Sequence, residues 1–204
     1  MGINGRNYKQ INITMPVIVG ALNQNKLNKL NEIDELNEII PSKPTIEKTF
    51  IAGKNNIIFY PNQIVYSLNV DDENYIDILK KIFNILLLDT NIVAFIRITS
   101  KIQSKHNSMK DSLESLLPKD TIIQEACPNL WGAGIRLLVK PEDMESVLWD
   151  LKVEPLFADN QYFHLEGNFS ADKPISIDSL SVFLERVSLY FDDFYDKMQI
   201  LLKK

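Results

Sequence analysis

The sequence predicts an α+β fold, an antiparallel sheet with long helices packed on it, and three observations point there. Leu180, Leu184, Val187, Phe191, Phe194, Met198 and Leu201 recur at spacings of four and three residues, which draws one continuous apolar stripe along a helix over 177–202. Phe183, Tyr190 and Tyr195 widen that stripe beyond a coiled-coil seam, so its natural floor is a sheet. Over 91–102, Ile92, Ala94, Ile96, Ile98 and Ile102 alternate with Val93, Phe95, Arg97, Thr99 and Lys101, the period of a half-buried strand. Finally, strand patterns come in runs that each close with a helix, unlike the regular alternation of a parallel βαβ fold.

In chain order, residues 1–10 are polar, and a first strand opens at Ile11 and runs through Pro16 to about Ala21. Pro16 marks it as an edge or irregular strand. Leu27, Leu30, Ile33, Leu36 and Ile40 define one face of a surface helix over 23–40, ended by Pro41 and Pro44. Strands over 45–51, 56–60 and 63–70 form a meander with turns at Gly53-Lys54-Asn55 and Pro61-Asn62. Asp71 and Asp72 cap a deeply buried helix over 73–88, and the strand over 91–102 takes a central place in the sheet. Between Gln103 and Gly134 only 110–117 reads as helix and 121–124 as a short strand, an unusually long connector. A strand over 135–139, a short helix from Pro141 to about Leu151 and a strand over 160–169 lead to the terminal helix. Ser176 or Asp178 caps that helix, and Lys197, Lys203 and Lys204 complement its C-terminal dipole. The chain reads as one α+β domain over 1–204, with two loosely similar halves, 11–102 and 121–204, that suggest an internal duplication.

Composition narrows the function classes. With 204 residues, 45% hydrophobic and 24% charged, the chain is long enough to build a proper core. A formal charge of −5 argues against a dedicated nucleic-acid or anionic-membrane surface. The most apolar run, 76–88, is broken by Asp77, Lys80, Lys81 and Asn84, so no membrane span is expected. A lone cysteine, Cys127, and the lack of a secretory signal pattern make the cytoplasm the expected compartment.

Two histidines, His106 and His164, and Cys127 provide no close ligand pair to seed a metal site. None of the glycines forms a phosphate loop, and Gly132-Ala133-Gly134 precedes a strand, so no cofactor is expected. Cys127 has no basic neighbour to activate it, and no G-x-S-x-G elbow is present; no catalytic residue is assigned. One constellation remains. If the strands over 91–102, 135–139 and 160–169 are neighbours, Arg97, Arg136, His164 and Glu166 share a sheet face. They then make a structural ion pair, Arg97 with Glu166 first, or hold a small anionic ligand between the arginines.

Met15-Pro16-Val17-Ile18-Val19-Gly20-Ala21-Leu22, the hairpin over 57–68, the helix over 73–88, Phe95-Ile96-Arg97-Ile98-Thr99-Ser100-Lys101-Ile102 and Phe163-His164-Leu165-Glu166-Gly167-Asn168-Phe169 follow one another in an order that spans most of the chain. That order resembles a family of uncharacterised bacterial proteins, sporadically distributed among genomes, whose mark is a strand rich in Arg, Tyr, Ile and Asn. Arg97 is the one signature residue that carries over. The resemblance implies a similar α+β fold and a mobile-element, phage or defence-associated setting, with no activity to transfer.

Two functions are therefore expected in competition. The first is a non-enzymatic interaction protein that binds a protein partner or self-associates as a homo-oligomer, using the terminal helix or the connector. Leu130 and Trp131, between Pro128-Asn129 and Gly132, either fold back on the core or anchor that partner. The second is an enzyme or sensor of a small anion on the Arg97, Arg136, His164 and Glu166 face. A concave pocket over those four residues would favour the second, and a filled ion pair the first.

Overall fold

β1 (Lys9–Met15) pairs antiparallel with two strands at once, β5 (Gln63–Asn69) and β7 (Phe95–Gln103), which carries the start of the chain into the middle of the sheet. The computed structural model describes residues 9–39, 47–52, 54–69, 74–117, 126–127 and 129–202. β2 (Leu36–Ile39), β3 (Lys48–Ala52), β4 (Asn55–Tyr60), β8 (Ile135–Val139), β9 (Trp149–Pro155) and β10 (Tyr162–Ser170) complete a nine-stranded sheet. Its order is β2-β3-β4-β5-β1-β7-β10-β9-β8, antiparallel throughout. Two short strands, β6 (Asn91–Ile92) and β11 (Ile175–Ser176), pair separately. The fold is α+β, as the sequence predicts.

Period-two alternation decides which face is covered. Ile11, Ile13 and Met15 on β1, Ile64, Tyr66 and Leu68 on β5, Ile96, Ile98 and Ile102 on β7, and Phe163, Leu165 and Phe169 on β10 are all buried on the same side. Above them lie α1 (Gln24–Asn31), α2 (Tyr75–Leu86), α3 (Ser108–Leu116) and α4 (Ile177–Leu202), touching in the order α1-α2-α4-α3. Leu184, Val187, Phe191 and Phe194 of α4 are buried against β7 and β10. The helix starts where Ser176 Oγ accepts the Ser179 N–H at 3.2 Å. It packs tightly over Gly167, where a Cβ would meet Phe191 Cδ2 at 2.8 Å and Phe169 Cε2 at 2.6 Å. Trp149 on β9 fills the neighbouring space, edge-on to Phe169 and Tyr190 with centroids 5.2 and 5.1 Å away, its indole N–H donating to the Ser170 carbonyl at 3.2 Å.

Both halves of the sheet run one element order. A strand (β1 or β7) leads to a helix (α1 or α3), then to three antiparallel strands (β3-β4-β5 or β8-β9-β10) whose last member pairs with the first strand, then to a covering helix (α2 or α4). The division falls between α2 and β7, so the strand read over 91–102 opens the second half and does not close the first. β2 has no counterpart among the described residues of the second half.

Several sequence expectations need correction. β1 stops at Met15 and is internal; Pro16 lies just past it, where its missing N–H breaks no ladder bond. The helix expected over 23–40 ends at Asn31, and Leu36–Ile39 pairs with β3 as a sheet edge, because that pairing buries Leu36. The helix expected from Pro141 to Leu151 is a pair of turns followed by β9, whose Trp149, Leu151 and Val153 point inward at strand period. The strand expected over 121–124 and the capping Asp71 and Asp72 lie outside the described residues. α2 begins after Asn74, which makes no side-chain cap, and ends at Leu87 in the left-handed region, φ 56°.

Three substitutions test this packing by chemical denaturation. Phe191→Ala should lower stability by about 3–5 kcal/mol through the cavity it leaves. Gly167→Ala should lower it by about 1–3 kcal/mol, since both rings must retreat from the new methyl group. Leu87→Gly should raise it by about 0.5–1 kcal/mol by relieving the left-handed backbone at an exposed position.

Candidate functional site

The solvent face of the sheet carries all four residues singled out from sequence, with Arg97, His164 and Glu166 in one cluster and Arg136 apart from it, against Asp150. Arg97 donates from Nε to Glu166 Oε2 at 3.0 Å and from Nη2 to the same oxygen. The other carboxylate oxygen, Oε1, accepts from Asn168 Nδ2 at 2.8 Å and from Lys152 Nζ at 3.4 Å. His164 Nε2 is 3.7 Å from Oε2. Arg136 lies on the same face but is engaged by Asp150 through a two-point contact, Nε–Oδ1 2.8 Å and Nη2–Oδ2 3.0 Å. Asp150 falls inside the helix expected to about Leu151 and Lys152 just past it, so the sequence offers no strand there to bring either to this face.

Burial pushes the Glu166 carboxyl up, but hydrogen bonds from Asn168 and Arg97 and the charges of Arg97 and Lys152 outweigh it and hold the group at about 2. Glu166 is thus ionised and its lone pairs are occupied, which suits a strut across β7, β10 and β9 and leaves no free base. Beside the strut, Thr14, Phe95, Arg97, Leu148, Asp150 and Asn168 line a shallow hollow of about 380 Å³.

A second feature lies at the far end of β7, where α3 meets the β9–β10 loop. Asn107, Met109, Lys110, Leu113, Trp131, Phe157 and Asn160 line a mainly apolar cleft of about 470 Å³. Trp131 is 74% exposed and Phe157 79%, and their rings stand side by side in its lining, tilted at 58° with centroids 6.4 Å apart. Neither folds back on the core; Leu130 is the half-buried one of the predicted pair. The walls are tied by hydrogen bonds. Ser104 and Ser108 donate backbone N–H groups to the Gln161 and Asn160 carbonyls at 2.8 and 2.7 Å. Buried Asp111 accepts from the Ser104 hydroxyl and from the His106 N–H at 3.0 Å. Burial pushes its carboxyl up, yet those bonds hold it below the usual carboxylate range. The Ala133 N–H donates to Ser112 Oγ at 2.9 Å, and a Cβ on Gly132 would sit 2.9 Å from Met109 Sδ, so the Trp131 segment runs close against α3. Phe157 was missed in the sequence; a large apolar residue inside a turn between two strands is the signal that could have found it.

Among the described residues no group of three His, Cys, Asp or Glu side chains could hold a metal ion, and no helix is long and apolar enough to cross a membrane. Together the fold and these surfaces define an antiparallel α+β protein with a self-paired polar sheet face and an exposed aromatic cleft. No protein-family model and no curated protein matches the chain.

The Glu166 strut sets an acid dependence. Its carboxyl lies below the ordinary 4.5, so its stabilisation is complete above that value and is lost as pH falls towards about 2. Glu166→Gln should lower stability at neutral pH by about 1–3 kcal/mol and flatten the acid limb, read by urea melts at a series of pH values.

Proposed function

We propose that this protein acts by binding another protein, and that the Trp131–Phe157 cleft is where the partner docks. The observation that carries this reading is the exposure of two large aromatic rings side by side at the mouth of a braced apolar cleft. Exposed aromatics with few rotatable bonds are favoured anchors in protein interfaces. The alternative, a small anion held by Arg97 and Arg136, has less support, because each guanidinium is already spent on a carboxylate and the two lie in separate pairs. The mobile-element, phage or defence setting implied by the family resemblance is compatible with a binding role and remains part of this proposal.

Affinity capture of the tagged full chain from its native cell tests the reading. Trp131→Ala and Phe157→Ala, each shown to melt as the parent does, should cut recovery of a specific partner by about tenfold or more, a loss of roughly 1.4 kcal/mol or above. Undiminished capture by both, together with loss on Arg97→Met, would transfer the function to the polar sheet face.

A further inference from the structure

The two edges of the sheet are finished differently. β2 is four residues long, and its Glu38 is engaged by Lys48 at 3.4 Å and by Asn31 at 3.4 Å. Polar, short edges of this kind resist pairing with another chain. β8 reads Ile135-Arg136-Leu137-Leu138-Val139, with no proline, lysine or acidic residue, and its one charge is held by Asp150. Leu137 and Leu138 stand 40% and 61% exposed on opposite faces of that strand.

Comparison of the halves shows what is missing there. The β3–β4 hairpin closes at Ala52 opposite Asn55, the β8–β9 hairpin at Val139 opposite Trp149, and both outer strands are five residues long. Laying one hairpin on the other puts Leu137 at the position of Phe50 and Val139 at that of Ala52. Phe50 is 0% exposed and Ala52 2%, with β2 paired along β3 and Leu36 opposite Ala52. Leu137 has β9 on one side, with Leu151 opposite, and no strand on its outer side among the described residues. Among the described residues, one half fills a strand position that the other leaves open.

We infer that β8 pairs antiparallel with β8 of a second copy, so that two sheets join into one across a two-fold axis at Leu137. Three observations select this occupant. The strand is complementary to itself: about Leu137, Ile135 meets Val139 on the inward face and Arg136 meets Leu138 on the outward face, so apolar inward positions match and no like charges oppose each other. Arg136 of each copy keeps its own Asp150, so no charge is stripped of its partner. The same kind of join already exists inside the chain. Carried through the register, the correspondence of the halves sets Asn12 equivalent to Arg97, and these two residues face each other in the β1–β7 pair. Two units of one topology are thus already joined edge to edge with their helices on one side.

This inference is independent of the cleft proposal and is tested on the purified full chain alone, by sedimentation equilibrium. The expected result is reversible doubling of the 23.5 kDa mass, with half-association at or below roughly 100 μM. Leu137→Glu, which sets two carboxylates across the axis, and Leu138→Lys should each weaken association at least tenfold with an unchanged melting profile. The inference is overturned by a parent protein that stays monomeric to that concentration. Association that survives both substitutions, or that is lost with Trp131→Ala instead, overturns it equally.

Discussion

Because Ile11 lies opposite Ile98 and Ile13 opposite Ile96, the two halves of the chain share one sheet and therefore one buried side. Every other placement follows from that pairing. With β1 and β7 side by side, all the inward positions of both halves face a common space, which four helices cover in the order α1-α2-α4-α3; α4, 26 residues at about 1.5 Å each, is nearly 40 Å long and packs on β7 and β10 beside α2. The pairing joins residues some eighty positions apart in sequence. Chain entropy must be spent before it forms, so the hairpins on either side, which are local, are the natural precursors of the finished sheet.

The uncovered face meets a different demand. Among the described residues no helix lies above it, so its side chains satisfy one another, and Glu166 shows how: one carboxylate gathers Arg97 from β7, Asn168 from its own strand and Lys152 from β9. Such a cluster adds less to stability than its count of bonds suggests, since each partner is also drawn out of water. Its value lies in register. A slip of one residue between β7 and β10 would turn Glu166 towards the apolar side and leave Arg97 without its carboxylate.

Much of this was legible in the sequence where a period persists long enough to be counted. The stripe from Leu180 to Leu201 runs for about six turns and gives α4, and the isoleucines of 91–102 give a central strand. Arg97 with Glu166 could be paired because two strong strands placed both on one face. The misreadings fall where the pattern is short and its meaning depends on a neighbour. Leu36 suits a helix with Leu30 and Ile33 as well as it suits an edge strand; pairing with β3 decides. Trp149-Asp150-Leu151-Lys152-Val153 alternates clearly, yet the Pro141-Glu142-Asp143 start signal overrode it. The cleft was half legible: Trp131 stood out between a proline and a glycine, while Phe157 owes its role to a loop that meets α3 only in three dimensions.

The bracing of the cleft bears on how it would be occupied. Its rings are carried by segments already tied by Ala133 to Ser112 and by Ser104 and Ser108 to the β9–β10 loop. Little further ordering is left for an incoming chain to impose, so association there approaches rigid-body docking. In such a surface the encounter rate is set by diffusion and orientation, and substitutions at the rings are felt as shorter residence of the complex.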